Sequence, residues 1–247
     1  DGYNLEIIVV DNGSTDHTAE ILKRFSKEIV VHIKPDISIP EVRNYGAERS
    51  SGEWIAFVDA DVEVDACWLR QIENTLRKLQ DRDIDITKAV IGSTCSVPNN
   101  PTWVERIWFD QLQQRDMLST RYVNGANMVM HRSLYNSVGG FDAKYTTGED
   151  EKFCEDARKA GGIIFKDNSI KTIHHGYPKT IIDFFRRERW HGQGMSQYLS
   201  NPWKSKDLSL SLYFFIILLT IPARLIIYRG ILINIFITFF AMLAPLM

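Results

Sequence analysis

At 247 residues the chain is long enough for one large α/β domain or two small ones. Its formal charge of −2 supplies no strong positive field, which argues against nucleic acid as a partner. Three scattered cysteines, Cys67, Cys95 and Cys154, lack C-x-x-C spacing and point to a reducing compartment rather than a disulfide framework.

The apolar run Leu5 to Val10 predicts a buried strand that ends in Asp11-Asn12-Gly13-Ser14-Thr15-Asp16. Gly13 permits a tight turn, and Ser14, Thr15 or Asp16 can cap the helix that follows, which carries Ile21, Leu22 and Phe25 on one face. A strand over Ile29 to Ile33 completes a β-α-β unit with a right-handed crossover. An acidic Gly-Ser-Thr turn at a helix N-terminus suits a nucleotide, because the Asp11 carboxylate can accept from a base or ribose and the helix end favours phosphate. The same acids can also act as plain caps, the reading that suits Asp16 better.

Pro40 to Ser50 reads as a helix, with Pro40 in its first turn and Gly52 at its stop. It carries Arg43-Asn44-Tyr45-Gly46-Ala47. Gly46 inside a helix costs about 1 kcal/mol relative to Ala, so it predicts close packing against a backbone or ligand. Trp54 to Val58 then reads as a buried strand running into Asp59-Ala60-Asp61. Ligands bind at the carboxyl edge of open α/β sheets. Two carboxylates spaced i, i+2 there can turn toward one hard cation, and Mg²⁺ or Mn²⁺ suits such a pair, with phosphate oxygens and water filling the other positions. A lone D-x-D is also a common solvated turn, so its weight depends on the stretches around it.

Asp65 is the expected cap of a helix whose core stripe is Trp68, Leu69, Ile72, Leu76 and Leu79. A strand over Lys88 to Cys95, a loop at Pro98 to Pro101 and an amphipathic helix marked by Val104, Ile107, Trp108 and Leu112 follow. Tyr122 to His131 reads as a strand containing Asn124-Gly125-Ala126-Asn127, and Arg132 opens a short helical turn. Gly139-Gly140 marks backbone that needs conformational freedom or close approach. Thr147-Gly148-Glu149-Asp150 opens a helix to about Ala160, where first-turn acids are also favoured by the helix dipole. Strands are expected over Ile163 to Lys166 and from Ile170 to His174 or His175.

Thr180 to Leu199 reads as a helix with a basic, aromatic face of Phe184, Phe185, Arg186, Arg187, Arg189, Trp190 and His191. Its arginine forks match phosphate, and a cationic helix suits a membrane surface. From Leu208 the chain is nearly all apolar, broken by Pro222, Arg224, Tyr228 and Arg229. That length allows one span of about 20 residues or two short helices.

In order and spacing these stretches resemble the inverting, metal-dependent family 2 glycosyltransferases, which have the GT-A fold. The resemblance rests on Ile8-Val9-Val10-Asp11-Asn12-Gly13-Ser14-Thr15-Asp16, Arg43-Asn44-Tyr45-Gly46, Phe57-Val58-Asp59-Ala60-Asp61, Gly139-Gly140-Phe141-Asp142, Gly148-Glu149-Asp150 and His174. It implies an α/β fold with a Rossmann-like mixed sheet flanked by helices. The catalytic domain would span residues 1–206 and lack the family's first β-α unit, and a membrane-associated hydrophobic helical tail would span 207–247.

The resemblance also implies roles. Asp11 would contact the donor's base or ribose, with Asn44 and Asp59 as further substrate contacts. Asp61 would be the direct metal ligand, and His174 a metal- or phosphate-contacting residue assigned to the metal. Asp150, with Glu149 beside it, would be the general base. Arg186-Arg187-Glu188-Arg189-Trp190 resembles the Q-x-x-R-W of processive synthases with Arg186 in place of Gln, making Arg186, Arg189 and Trp190 candidate substrate contacts. The implied cofactor is Mg²⁺ or Mn²⁺. The implied partners are a UDP- or GDP-sugar donor, a lipid-linked or saccharide acceptor, and a membrane carrying the catalytic domain on its cytoplasmic face.

Two other functions compete. In a phosphatase of the haloacid-dehalogenase type, Asp59 would be phosphorylated and Asp61 would act as acid/base, but the Asp11–Asp16 turn has no role in that scheme. In a non-catalytic nucleotide- or sugar-binding relative, there would be no need for both acids.

Overall fold

A computed structural model of the chain describes residues 2–112, 117–118, 120–198, 212–218, 220 and 238. The chain divides into two compact units, Asp1–Met195 and Ser196–Met247.

In the first unit, β1 (Ile8–Asp11) and β2 (Val30–Ile33) pair in parallel and are joined through α1 (Thr18–Arg24). Helix α2 (Ile39–Arg49) leads into β3 (Trp54–Val58). After it come β4 (Val62–Val64), α3 (Trp68–Gln80), β5 (Ala89–Gly92), α4 (Trp103–Leu112), β6 (Met117–Leu118) and β7 (Asn127–His131). The unit continues through α5 (Arg132–Val138), α6 (Glu149–Lys159), β8 (Ile163–Lys166) and β9 (Thr172–His174) and ends within α7 (Ile181–Tyr198). The main sheet has five strands in the order β3-β7-β5-β8-β6. Only its β5–β8 pair is parallel, so the fold is mixed α/β.

Side chains alternate across that sheet with the two-residue period of a strand, and each face has its own core. Val90, Met128, Met130 and Ile164 join Phe57, Phe141 and Phe153 on one face. Ala89, Ile91, Val129 and Phe165 meet Ile72 and Leu79 of α3 on the other. Trp68 packs against this second cluster, as the stripe on α3 requires, and its indole N–H donates to Asn127 Oδ1 at 3.1 Å. Gly46 makes a close approach, but to a side chain rather than to the backbone or ligand expected: a Cβ there would stand 3.3 Å from Val10 Cγ2.

Several sequence expectations need correction. β3 is buried mainly on one face, with Ile55 and Phe57 inward and Ala56 and Val58 exposed, because the core cluster of the other face reaches this edge strand only at Trp54. Leu5 and Ile7 lie before β1 and are exposed, and α1 has no buried residue, with Ile21 and Phe25 about half exposed. Amphipathic period is a local property, whereas burial needs a neighbour, and among the described residues β1 pairs only with β2. The stretch from Tyr122 is irregular until Asn127; Asn124 Oδ1 accepts the Ala126 N–H at 2.8 Å and turns the chain before β7 begins. Lys88 closes a 3₁₀ turn rather than opening a strand, and β5 ends at Gly92. The short strands β4 and β6 exist through pairing with β9 and β8, which no local pattern announces.

The tail expected over 207–247, with Pro222, Arg224, Tyr228 and Arg229, lies outside the described residues except for helical residues 212–218, 220 and 238. Among the described residues, no helix is long and apolar enough to cross a membrane.

Candidate functional site

The end of β3 turns sharply. The Asp59 N–H donates to the Ala126 carbonyl at 3.3 Å, and the Asp59 carbonyl accepts the Val62 N–H at 3.0 Å. The chain therefore reverses into β4, leaving Asp59 half-buried and Asp61 exposed. The β4–β9 register places Val62 opposite His174, and the His175 N–H donates to the Asp61 carbonyl at 2.8 Å. That pairing carries His174 Nε2 to 3.7 Å from Asp61 Oδ1. Ligand atoms of Asp59, Asp61 and His174 all lie within 4.8 Å of one another. A Cβ at Gly176 would overlap the Asp61 carboxylate, so a side chain there would displace it from this position. His175 points away to Glu63, at 3.0 Å.

The donor set fits a hard divalent cation, with the two carboxylates as its core. Burial pushes the His174 pKa below the ordinary imidazole value against the pull of Asp61, which favours a neutral ring. The Gly176 N–H donates to His174 Nδ1 at 3.1 Å, which leaves the hydrogen of the neutral ring on Nε2, facing Asp61. In this arrangement His174 is a donor toward carboxylate or phosphate oxygen, and it becomes a metal ligand through Nε2 only by moving that hydrogen. Tyr177 stacks on the ring at 4.5 Å, and its hydroxyl donates to the Cys95 carbonyl at 2.6 Å, so the imidazole is held in place.

Behind the two aspartates stands Arg43, its side chain only 10% exposed. Its Nη2 donates to Asp59 Oδ1 at 2.8 Å, and its Nη1 pairs with Glu149 Oε1. Burial pushes the Glu149 carboxyl above its ordinary pKa, and Arg43 opposes that shift. Glu149 opens α6 just after Gly148, which caps the helix at φ +76°. Asp150, half-buried, accepts the Gly125 N–H at 3.0 Å and the Glu151 N–H at 2.8 Å.

The other expected site residues are placed differently. Asp11 Oδ1 accepts from the Ser14 hydroxyl at 2.6 Å and the Ser14 N–H at 2.9 Å, and these bonds hold its carboxyl below the usual carboxylate range. Asp16 Oδ1 takes the Thr18 N–H at 3.0 Å, a turn bond at the start of α1 whose N-cap position is His17. Asn44 clamps α2 to the turn after α5: its Oδ1 accepts from Tyr135 Oη at 2.7 Å and from the Phe141 N–H at 2.8 Å, while its Nδ2 donates to the Phe141 carbonyl at 2.7 Å. Arg186 reaches Asp183 on its own helix, and Arg189 and Trp190 are exposed. Arg187 is the arginine of α7 that approaches the cluster, donating from Nη1 to the Gly176 carbonyl at 2.8 Å.

Sequence reasoning thus gave no individual role to Arg43, Gly125, Gly176 or Arg187, although Arg43 stood in a motif of the resemblance and Arg187 in the basic face of α7. Arg187 had a usable signal: with Phe184 and His191 it forms an i, i+3, i+7 face, and all three pack on Trp108. Arg43 lies four residues before buried Ala47 and so on the inner face of α2. The two glycines carried no signal beyond their identity.

The family described as Glycosyl transferase family 2 matches residues 1–139. Glycosyltransferase AglE of Haloferax volcanii is 29% identical over 180 residues, covering 70% of this chain and 57% of that protein. An uncharacterized glycosyltransferase of Haemophilus influenzae is 25% identical over 185 residues with the same two shares. The chain therefore spans a little over half the length of these curated relatives. Among solved structures, the mannosyltransferase PcManGT from Pyrobaculum calidifontis in complex with GDP-Man and Mn²⁺ matches 91% of this chain and 72% of its own, with a TM-score of 0.52 and 18% identity. GalNAc-T7 with UDP, GalNAc and Mn²⁺ matches 73% of this chain and 41% of its own, with a TM-score of 0.53 and 15% identity. At these identities the likeness is one of fold: a mixed α/β arrangement with a central sheet, as in GT-A proteins.

Proposed function

The chain belongs to glycosyl transferase family 2, and we propose that it moves a sugar from a nucleotide-diphosphate sugar to an acceptor hydroxyl with inversion. The observation that supports this most is the convergence of Asp59, Asp61 and His174 at the end of β3. Family membership leaves the phosphatase reading of Asp59 without support.

In this reading Asp61 is the direct ligand of Mg²⁺ or Mn²⁺, and Asp59, which the resemblance gives to the substrate, is assigned to the cation as well because it lies in the same cluster with His174 beside it. When bound, the cation neutralises charge developing on the diphosphate leaving group. His174, its Nε2–H turned to the same space 3.7 Å from Asp61 Oδ1, donates a hydrogen bond to a diphosphate oxygen. Asp150 takes the proton of the acceptor hydroxyl as that oxygen bonds to the anomeric carbon and the bond from carbon to diphosphate oxygen breaks. Two backbone N–H groups hold the Asp150 carboxylate in one orientation, which suits a positioned base. One base opposite the leaving group gives inversion.

A UDP- or GDP-sugar is the donor class this reading takes, in line with the nucleotides in the two similar structures, and Asp11 is its proposed contact to base or ribose. The acceptor is a saccharide or lipid-linked hydroxyl, for which Arg186, Arg189 and Trp190 are the proposed contacts. On α7, Ile181, Ile182 and Phe185 are exposed beside Arg186, a composition suited to a membrane surface; the cytoplasmic face is proposed from the resemblance alone. The full chain is then expected to sediment with membranes and resist high salt; release by salt alone would overturn insertion.

The transfer itself is tested by incubating the full chain with UDP- and GDP-sugars and Mn²⁺ or Mg²⁺. Expected is nucleotide-diphosphate release that stops on chelation, with a product of inverted anomeric configuration by NMR. Product of retained configuration would overturn the base assignment, and no release from any donor would overturn the reading as a whole.

A further inference from the structure

Arg43 is a buried cation that the proposed chemistry leaves unused, and it touches both halves of the site. One arm of its guanidinium donates to Asp59 at 2.8 Å, and another pairs with Glu149, whose side chain is 8% exposed. These partners come from distant parts of the chain: Arg43 from α2, Asp59 from the end of β3 and Glu149 from the start of α6. A residue from a fourth segment makes room for it. A Cβ on Gly125 would stand 2.8 Å from Arg43 Cζ and 2.9 Å from each terminal nitrogen, closer than real Cβ contacts allow. The N–H of the same glycine is the donor to Asp150 Oδ2 at 3.0 Å. The guanidinium also lies over the Phe141 ring, 5.6 Å from its centroid, so its plane is held from a further side.

From this arrangement we infer that Arg43, seated in the gap left by Gly125, is a positioning residue that fixes the carboxylate of Asp59 for the cation and sets its spacing from Asp150. A planar fork is suited to this task because it binds two carboxylates in directions set by its own geometry. Lysine would supply the charge as a single flexible point and could satisfy one carboxylate well but not both. Gly125 serves both halves at once. Its missing side chain admits the guanidinium, and its N–H orients Asp150, so a displacement at this position is felt by the metal acid and the base together.

This inference rests on the glycosyltransferase reading, and its test separates the two. Mn²⁺ binding to the full chain is measured by electron paramagnetic resonance for the wild type, Arg43→Lys and Gly125→Ala, with circular dichroism as the check on folding. Groups that orient a metal ligand are worth about 10- to 100-fold in metal affinity. Both variants should therefore bind Mn²⁺ about 10-fold or more weakly while folded, although neither loses a ligand or a charge. If Arg43 only holds the fold together, both variants melt earlier but bind Mn²⁺ within two-fold of the wild type, and the inference is overturned. Gly125→Ala keeps the question open to decision should Arg43→Lys fail to fold, because it removes no hydrogen-bonding group. Nucleotide release from UDP- and GDP-sugars by the wild type is scored separately. A wild type that binds Mn²⁺ but releases no nucleotide sinks the transfer reading while the Mn²⁺ comparison still stands on its own.

Discussion

The β1–α1–β2 unit and the site around Asp59 both present carboxylates at the end of a strand, yet they are held in different ways. In the first, Asp11 bonds to Ser14 and Asp16 to Thr18, contacts three and two residues apart, and the helix between the strands has no buried side chain. In the second, Asp59 is held by Arg43 from α2 and Asp61 sits beside His174 from β9, across 16 and 113 residues, while Glu149 lies 106 residues from its partner Arg43. Local bonds satisfy a turn and cost little to form. Long-range bonds fix several segments against one another, and only that arrangement can hold separate charges at the spacing a reaction needs. The contrast teaches that the carboxylates of the first region can serve the turn alone, whereas those of the second are expensive to place and make sense only if their convergence is used.

The largest expected effect bears directly on this contrast. Asp61→Ala should abolish divalent-dependent nucleotide binding, whereas Asp16→Ala should leave it intact and lower stability by about 1 kcal/mol, the worth of its turn bond. Equal Mn²⁺-dependent binding of UDP or GDP by wild type and Asp61→Ala, read by thermal shift, would erase the distinction between the regions. Next in size is Asp150→Asn, which keeps the shape and loses the proton acceptor. Donor affinity should stay near normal while kcat falls at least about 100-fold. Turnover within a few-fold of wild type would reduce Asp150 to a first-turn helix acid.

Asn44 sharpens the comparison at an intermediate scale, since its resemblance role is substrate contact but its amide clamps Phe141 and Tyr135. Asn44→Ala strands those partners and should cost about 2 kcal/mol in chemical denaturation, with donor affinity unchanged below the melting temperature. A loss of affinity without loss of stability would return Asn44 to the substrate. The smallest effect concerns the local region. The folded pKa of Asp11 is lowered by the Ser14 hydroxyl first and its N–H second, so the stability it contributes is present above the ordinary carboxylate pKa and is lost as pH falls through the lowered folded value. Ser14→Ala should therefore cost about 1 kcal/mol at neutral pH and much less once pH falls below the lowered folded value. A cost that does not change with pH would show that the Ser14 hydroxyl acts independently of the Asp11 charge.

How much of this was legible in the sequence follows from the range of each interaction. Periodicity located the seven helices and most of the strands described, because the repeat of a helix or strand is written in neighbouring residues. That Asp59 and Asp61 lie close together was legible for the same reason: two residues apart at a strand end, they share one turn whatever surrounds them. The ordered motifs gave the family without any contact being known. Burial was less legible, as β3 and α1 show, since an apolar stripe does not say what will cover it. His174 could be named from its place in the motif order, but its hydrogen-bonding state depends on the Gly176 N–H and on burial against Tyr177. The helical face shared with Phe184 and His191 singles out Arg187, but tertiary structure decided that it reaches the Gly176 carbonyl beside Asp61, and that Arg43 joins Asp59 to Glu149 through a gap kept open by Gly125. The physical reason is that hydrogen-bond geometry between charges is fixed by where α2, β3 and α6 pack in space, and a linear pattern carries the period of each element but not the distances between them.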